Sequence, residues 1–93
     1  ELQREYGDLS QNCPNPFLEQ TKLFLVLNKD AKTDIEIFDQ KGSRVKVLLS
    51  QNLKKGRYEF NWSSKNLSNG IYTAVWMSDN KLVKTIKMIK QTN

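Results

Sequence analysis

Five carboxylates carry whatever reactive chemistry this sequence offers: Asp30, Asp34, Glu36, Asp39 and Glu59. A close pair of carboxylates can split acid and base roles, and a cluster can bind calcium through oxygen. The chain has no histidine, which removes the commonest general base and the commonest metal ligand together. A Ser-His or Cys-His nucleophilic pair cannot be assembled. Asp39 sits in a turn sequence, where a side-chain oxygen ordinarily bonds nearby backbone. The sequence therefore predicts no catalytic group, no metal site and no cofactor. Its single cysteine, Cys13, excludes an internal disulfide and reads as a small apolar residue rather than a lipid or redox site.

A second constellation is aromatic. Tyr58, Phe60 and Trp62 share a face of one alternating segment, and Tyr72 and Trp76 follow in another. A row of exposed coplanar rings would stack on sugars. Alternation at the strand period predicts core for most of these rings; Trp76 is the residue left open, since Val75 and Met77 also favour burial.

A third constellation is basic. Lys81, Lys84, Lys87 and Lys90 recur every third residue. On a helix they would form one stripe opposite Leu82, Val83, Ile86 and Ile89, as on a membrane surface. On a strand Lys81 and Lys87 take one face, and Lys84 and Lys90 the other. The segment is short for a helix, carries Val83, Thr85, Ile86 and Ile89, and follows a turn, so a strand is predicted.

The elements that must position these residues are short strands. Pro14 and Pro16 fix two φ angles and push Cys13 and Asn15 toward extended backbone. This gives a stiff lead-in ending at Phe17, suited to a sheet edge because proline cannot donate to a ladder. Residues 22–27, 33–38, 44–49, 57–62, 71–77 and 82–90 read as strands. Asp39-Gln40-Lys41-Gly42, Lys54-Lys55-Gly56, Asn69-Gly70 and Ser78-Asp79-Asn80-Lys81 read as turns. Gly42, Gly56 and Gly70 are expected to be turn glycines. About seven strands at roughly 8–12-residue spacing predict an all-β, immunoglobulin-like antiparallel sandwich without its disulfide.

The 93 residues make one domain, and because the first is Glu1 rather than Met the chain is read as a module of something longer. Residues 1–8 read as a linker or tail and 9–93 as the domain. No apolar run approaches the roughly 20 residues that span a bilayer, so no transmembrane segment is expected. The polar, mostly acidic start is unlike an export signal. The net charge is +5, and outside Lys81–Lys90 the balance is 11 basic against 10 acidic, so the basic excess reads as a C-terminal property. Arg4, Arg44 and Arg57 are scattered, unlike a nucleic-acid surface.

Three segments in order resemble a known family. Leu9-Ser10-Gln11-Asn12-Cys13-Pro14-Asn15-Pro16-Phe17 resembles L-S-Q-N-Y-P-N-P-F, the opening of C-terminal sorting domains (type A) of the type IX, or Por, secretion system. Residues 35–45, from Ile35 through Gly42 to Val45, resemble its strand, turn and G-x-x-V return. Leu67-Ser68-Asn69-Gly70-Ile71-Tyr72 resembles its L-x-x-G-x-Y step, followed by a basic last strand with Lys84, Lys87 and Lys90. Cys13 departs from the usual aromatic, and Leu18-Glu19-Gln20 from the usual polar run.

The resemblance implies a non-enzymatic signal that directs an upstream, covalently linked cargo through periplasm and outer membrane to the cell surface or medium. The implied partners are the outer-membrane translocon and a sortase-like peptidase cutting at or before residues 1–8. The implied recognition residues are Pro14, Asn15, Pro16, Phe17, Gly42, Gly70, Tyr72, Lys84, Lys87 and Lys90. A sorting signal is expected to end its parent chain. The competing expectation is a carbohydrate-binding or structural immunoglobulin-like accessory module of a secreted enzyme.

Overall fold

Period-two alternation of apolar and polar residues dominates from Gln20 onward, and the computed structural model, described here for residues 2–91, turns it into seven strands in two sheets. They are β1 (Gly7–Leu9), β2 (Gln20–Leu27), β3 (Ala31–Phe38), β4 (Arg44–Leu53), β5 (Gly56–Ser63), β6 (Gly70–Ser78) and β7 (Lys81–Lys90), preceded by a short helix α1 (Leu2–Tyr6). One sheet has the order β1-β2-β5 and the other β4-β3-β6-β7, and every pairing is antiparallel. The sheets face each other, as in an immunoglobulin-like sandwich. Residues 81–90 are a strand, not a basic helix.

Alternation sends Leu23, Leu25 and Leu27 inward from β2, Ile35 and Ile37 from β3, and Tyr72, Ala74 and Trp76 from β6. Trp76 is fully buried, its indole N–H donating to Ser78 Oγ at 3.0 Å, while Val75 and Met77 lie half-buried on the outer face. Trp62 and Tyr72 are buried as well, so of the predicted aromatic row only Tyr58 and Phe60 stay half-buried among the described residues. The β6–β7 hairpin turns through Asp79 and Asn80, both at positive φ (51° and 65°), a pair of values that matches the right-handed strand twist.

Residues 2–8, read from the sequence as a linker or tail, pack on the sandwich together with Leu9. Tyr6 and Leu9 are buried, and β1 pairs with the end of β2. Gly7, at φ 131°, lies so close to β2 that a Cβ would overlap the Val26 carbonyl oxygen. Polar contacts hold the segment. The Tyr6 hydroxyl donates to Asp79 at 2.9 Å, Lys84 Nζ donates to Asp8 at 2.8 Å, and Lys29 pairs with Glu5 while its Nζ sits 4.5 Å from the Tyr6 ring centre. Local sequence is too polar to announce this. Its anchors are two side chains, each reporting burial only once β2 and β7 are in place.

These contacts set an acid limit. Lys84 lowers the Asp8 carboxyl below its ordinary range, the Tyr6 hydroxyl does so for Asp79, and Lys29 for Glu5. Groups depressed by folding stabilise the fold above their unfolded values, and that contribution fades as pH falls through the folded values. Residues 2–9 are therefore expected to loosen first as pH falls through and below the ordinary carboxylate range. Amide exchange at Leu9, compared with Ile35 in the core, reads this out.

Candidate recognition site

The strands run pole to pole through a molecule of 40 × 23 × 22 Å. Their connectivity places the 39–43 turn, the 64–69 loop, the 13–19 segment and the end of β7 at one pole, and α1 with the 28–30 and 79–80 turns at the other.

The Pro-Asn-Pro-Phe segment crosses between the sheets at the first pole. Cys13 exchanges two backbone hydrogen bonds, both 3.0 Å, with Lys22 on the open flank of β2. Four residues on, Phe17 donates to the Ile89 carbonyl at 2.9 Å and accepts from the Gln91 amide at 3.0 Å, a parallel bridge to β7. The Cys13–Pro14 and Asn15–Pro16 bonds are both cis. Side chains complete the closure of the β7 edge. Gln11 Nε2 donates to Lys87 O at 2.6 Å, and Asn15 Oδ1 accepts from the Ile89 amide at 2.9 Å. The motif thus occupies the edge that β7 would otherwise leave unpaired, which blocks sheet-to-sheet association there.

Two buried polar groups hold the strap from inside. Asn12 Nδ2 donates to Thr21 Oγ1 at 3.0 Å and to Pro14 O at 3.1 Å, and Thr21 Oγ1 donates to Pro14 O at 2.9 Å. Phe17 is buried against Trp62, ring centres 5.5 Å apart, and Trp62 meets Tyr72 edge-on at 5.5 Å. This aromatic chain joins the strap to β5 and β6.

Tyr72 donates its hydroxyl to Ser68 O at 2.5 Å. That contact is the tyrosine corner of immunoglobulin-like folds and explains the spacing of L-x-x-G-x-Y. Gly70, at φ 147°, lets the chain turn into β6, and a Cβ there would lie 2.5 Å from Gln40 Oε1 of the neighbouring turn. Burial raises the Tyr72 hydroxyl above the usual phenol range, keeping it a donor. Tyr72→Phe is expected to cost about 1 kcal/mol, since one part-buried bond is lost without a change of shape. Urea unfolding at neutral pH measures it.

The basic residues do not act alike. Lys90 is buried, and its Nζ donates to Ser64 O and Leu67 O, both at 2.7 Å, tying the last strand to the loop before the tyrosine corner. Lys84 is half-buried against Asp8, far from the motif pole, and Lys87 is exposed beside Gln11. Gly42 lies at the tip of the 39–43 turn, where Asp39 Oδ1 accepts from the Lys41 and Ser43 amides, each at 2.9 Å. The structure thus brings together Pro14, Asn15, Pro16, Phe17, Gly70, Tyr72, Lys87 and Lys90, with Gly42 at the same pole and Lys84 apart. Gln11, Asn12 and Ser64 also belong to this assembly. Gln11 and Ser64 act through backbone groups distant in sequence, Lys87 O and Glu19 O, whereas Asn12 acts within the motif on Pro14 O and on the Thr21 hydroxyl.

The carboxylates are dispersed. Asp34 meets Lys32 and Ser50, Glu36 meets Arg44, Asp30 accepts from the Lys55 amide, and Glu59 pairs with Lys22. Among the described residues no group of three metal-ligating side chains assembles. Cys13 is exposed, and its backbone is engaged by Lys22.

A sandwich whose motifs, distant in sequence, converge on one pole as an edge-closing strap and a tyrosine corner defines a small immunoglobulin-like module. The family model of the secretion system C-terminal sorting domain matches residues 13–91, and the chain belongs to that family. No curated protein and no solved structure matches it. The domain is a secretion signal, itself not catalytic, that directs its cargo across the outer membrane by engaging the type IX machinery.

Proposed function

We propose that the motif pole is the surface the secretion machinery reads, and that the outer-membrane translocon is the component that reads it. The observation carrying this is the direct pairing of Phe17 with Ile89 and Gln91, which joins the opening motif to the basic last strand as one composite surface. Pro14, Asn15, Pro16, Leu18, Lys87 and Ile89 are exposed on or beside it, whereas Phe17, Tyr72 and Lys90 are internal. The first group makes contact and the second maintains its shape; Gly42 and Gly70 shape the adjoining turns, and Lys84 anchors the far segment.

The segment 2–9, which an upstream cargo would adjoin, lies at the opposite pole. A machine gripping the motif pole would leave that junction accessible to a sortase-like peptidase. Because Tyr6, Gly7 and Leu9 are buried, cleavage in the folded domain falls before Tyr6. Release to the medium or attachment at the surface follows from that cut. The type A grouping belongs to the same proposal and rests on the opening motif.

The test fuses residues 1–93 to an inert periplasmic reporter in a host competent for type IX secretion. Export of the reporter is expected, with loss of export in a folded Asn15→Ala/Lys87→Glu variant. A reporter retained in the periplasm by the unaltered domain overturns the reading.

A further inference from the structure

The two flanks of the sandwich are finished differently. On the β1/β7 flank the edge is closed by the strap and α1. On the other flank β4 and β5 are both edge strands, and a sheet of three strands faces a sheet of four. The inner face of β4 shows what this leaves uncovered. Inner residues of β3 are fully buried in alternation, whereas Val45, Leu48 and Leu49 of β4 are only half-buried, and Leu53 alone is buried. Tyr58 and Phe60, the inward rings of β5, are half-buried too and stack on each other, centres 6.4 Å apart and planes 6° apart. Because β1 packs on β7, three strands facing four leave β4 without a strand opposite it, and the open space beside β5 lies over β4.

The two edges are not equivalent templates. The β3–β4 ladder has register shifts at Ile35/Glu36 and Ile37/Phe38, and such bulges blunt an edge. The β2–β5 ladder runs without a shift from Gln20↔Ser63 to Leu27↔Gly56. Lys22 turns its amide and carbonyl to Cys13, and Ser64 donates to Glu19 O at 2.8 Å. In an antiparallel pair these groups alternate. Arg57, Glu59, Asn61 and Ser63 therefore point theirs away from β2, into the open slot.

Charge selects what fits. From Gln40 to Tyr58 the chain carries six basic residues and no acidic one. The basic excess is thus not confined to the C-terminus, as the overall balance suggested. Arg44 and Lys54 face Glu36 and Asp30, but Lys46, Lys55 and Arg57 have no ion-pair partner among the described residues. A second copy of this edge would bring like charges together, whereas an acidic strand would be attracted.

We propose that the β5 edge is a strand-addition site for an extended, acidic segment of a partner protein, which supplies the missing fourth strand. Its backbone pairs with residues 57–63, its inward apolar side chains cover Tyr58, Phe60, Leu48 and Leu49, and its carboxylates meet Lys46, Lys55 and Arg57. The site lies on the flank, separate from the motif pole, and does not depend on how that pole functions.

The probe is a synthetic peptide of alternating valine and glutamate as long as β5, titrated into the isotope-labelled chain. The amides of Arg57, Glu59, Asn61 and Ser63 are expected to shift and to gain exchange protection. A valine–lysine peptide is expected to bind at least about tenfold more weakly. Asn61→Pro removes a donor that faces the slot rather than β2, so the sandwich persists while binding is lost. Should that variant unfold, the K46E/K55E/R57E variant decides, because it is expected to prefer the lysine peptide. Equal binding of the two peptides, shifts confined to other surfaces, self-association through β5, or an unchanged preference after charge reversal overturns the proposal.

Discussion

Phe17→Ala is expected to destabilise the domain by about 3–5 kcal/mol, the usual cost of emptying a fully buried aromatic site. The ring is 1% exposed and rests on Trp62, which rests on Tyr72. Its removal therefore opens a cavity where the strap, β5 and β6 meet. The backbone bridge to Ile89 and Gln91 depends on the same anchor, since the exposed Leu18 and Pro16 on either side offer little burial to replace it. A domain of this size has a total stability of about 5–15 kcal/mol, so the loss takes a large share of it. Guanidinium unfolding of the purified domain measures the cost. The comparison with Asn15→Ala separates stability from recognition. Asn15 is exposed, and its side chain makes one hydrogen bond to the Ile89 amide. Its replacement should cost about 1 kcal/mol while affecting export as strongly as Phe17→Ala. If Asn15→Ala is exported normally, the strap serves stability alone.

Six of the strands are legible in the sequence because period-two alternation and turn residues act locally. Ile35 and Ile37 could only face one way, and Asp79-Asn80 could only be a turn. Expected and observed strand bounds differ by a residue or two, except that β4 runs on to Leu53. The seventh strand was not legible. Pro14 to Phe17 was the expected edge, but the strand is Gly7–Leu9, and the prolines occupy the crossing between the sheets. Three residues are too few to show a period, and the burial of Tyr6 depends on Asp79 and Lys29, both distant in sequence.

The candidate site was legible as residue types but not as a place. The opening motif and the last strand are separated by some seventy positions, and pairing over such a distance leaves no trace in local composition. In the sequence they stand near two ends of the chain; the Phe17–Ile89 bond makes them neighbours. Lysine spacing misled for a related reason. Lys84, Lys87 and Lys90 look equivalent, yet the first is held by Asp8, the second is exposed, and the third is buried. A lysine is rarely fully buried unless it is paired, so its position in a basic run argued for solvent.

Lys90 supplies the other large effect. Its ammonium lies among main-chain carbonyls rather than beside a carboxylate, donating to Ser64 O and Leu67 O. Lys90→Met keeps most of the stem's packing and removes both donors. The two carbonyls then lose partners in a place where Ser64 is fully buried and Leu67 half-buried. A hydrogen bond to a charged group contributes about 1.5–3 kcal/mol, so a combined loss of about 3–5 kcal/mol is expected. Lys90→Arg tests whether charge or shape matters. The ammonium is a compact point donor and the guanidinium a broad planar fork, so arginine should recover only part of the stability. Loosening is expected first in the 64–69 loop, because Tyr72 still holds Ser68 from the other side through its own hydroxyl. Amide exchange at Leu67 should therefore rise before exchange in β3. If Lys90→Met leaves both stability and exchange at Leu67 unchanged while export is lost, Lys90 is read directly by the secretion machinery, and its burial in the free domain is undone on binding.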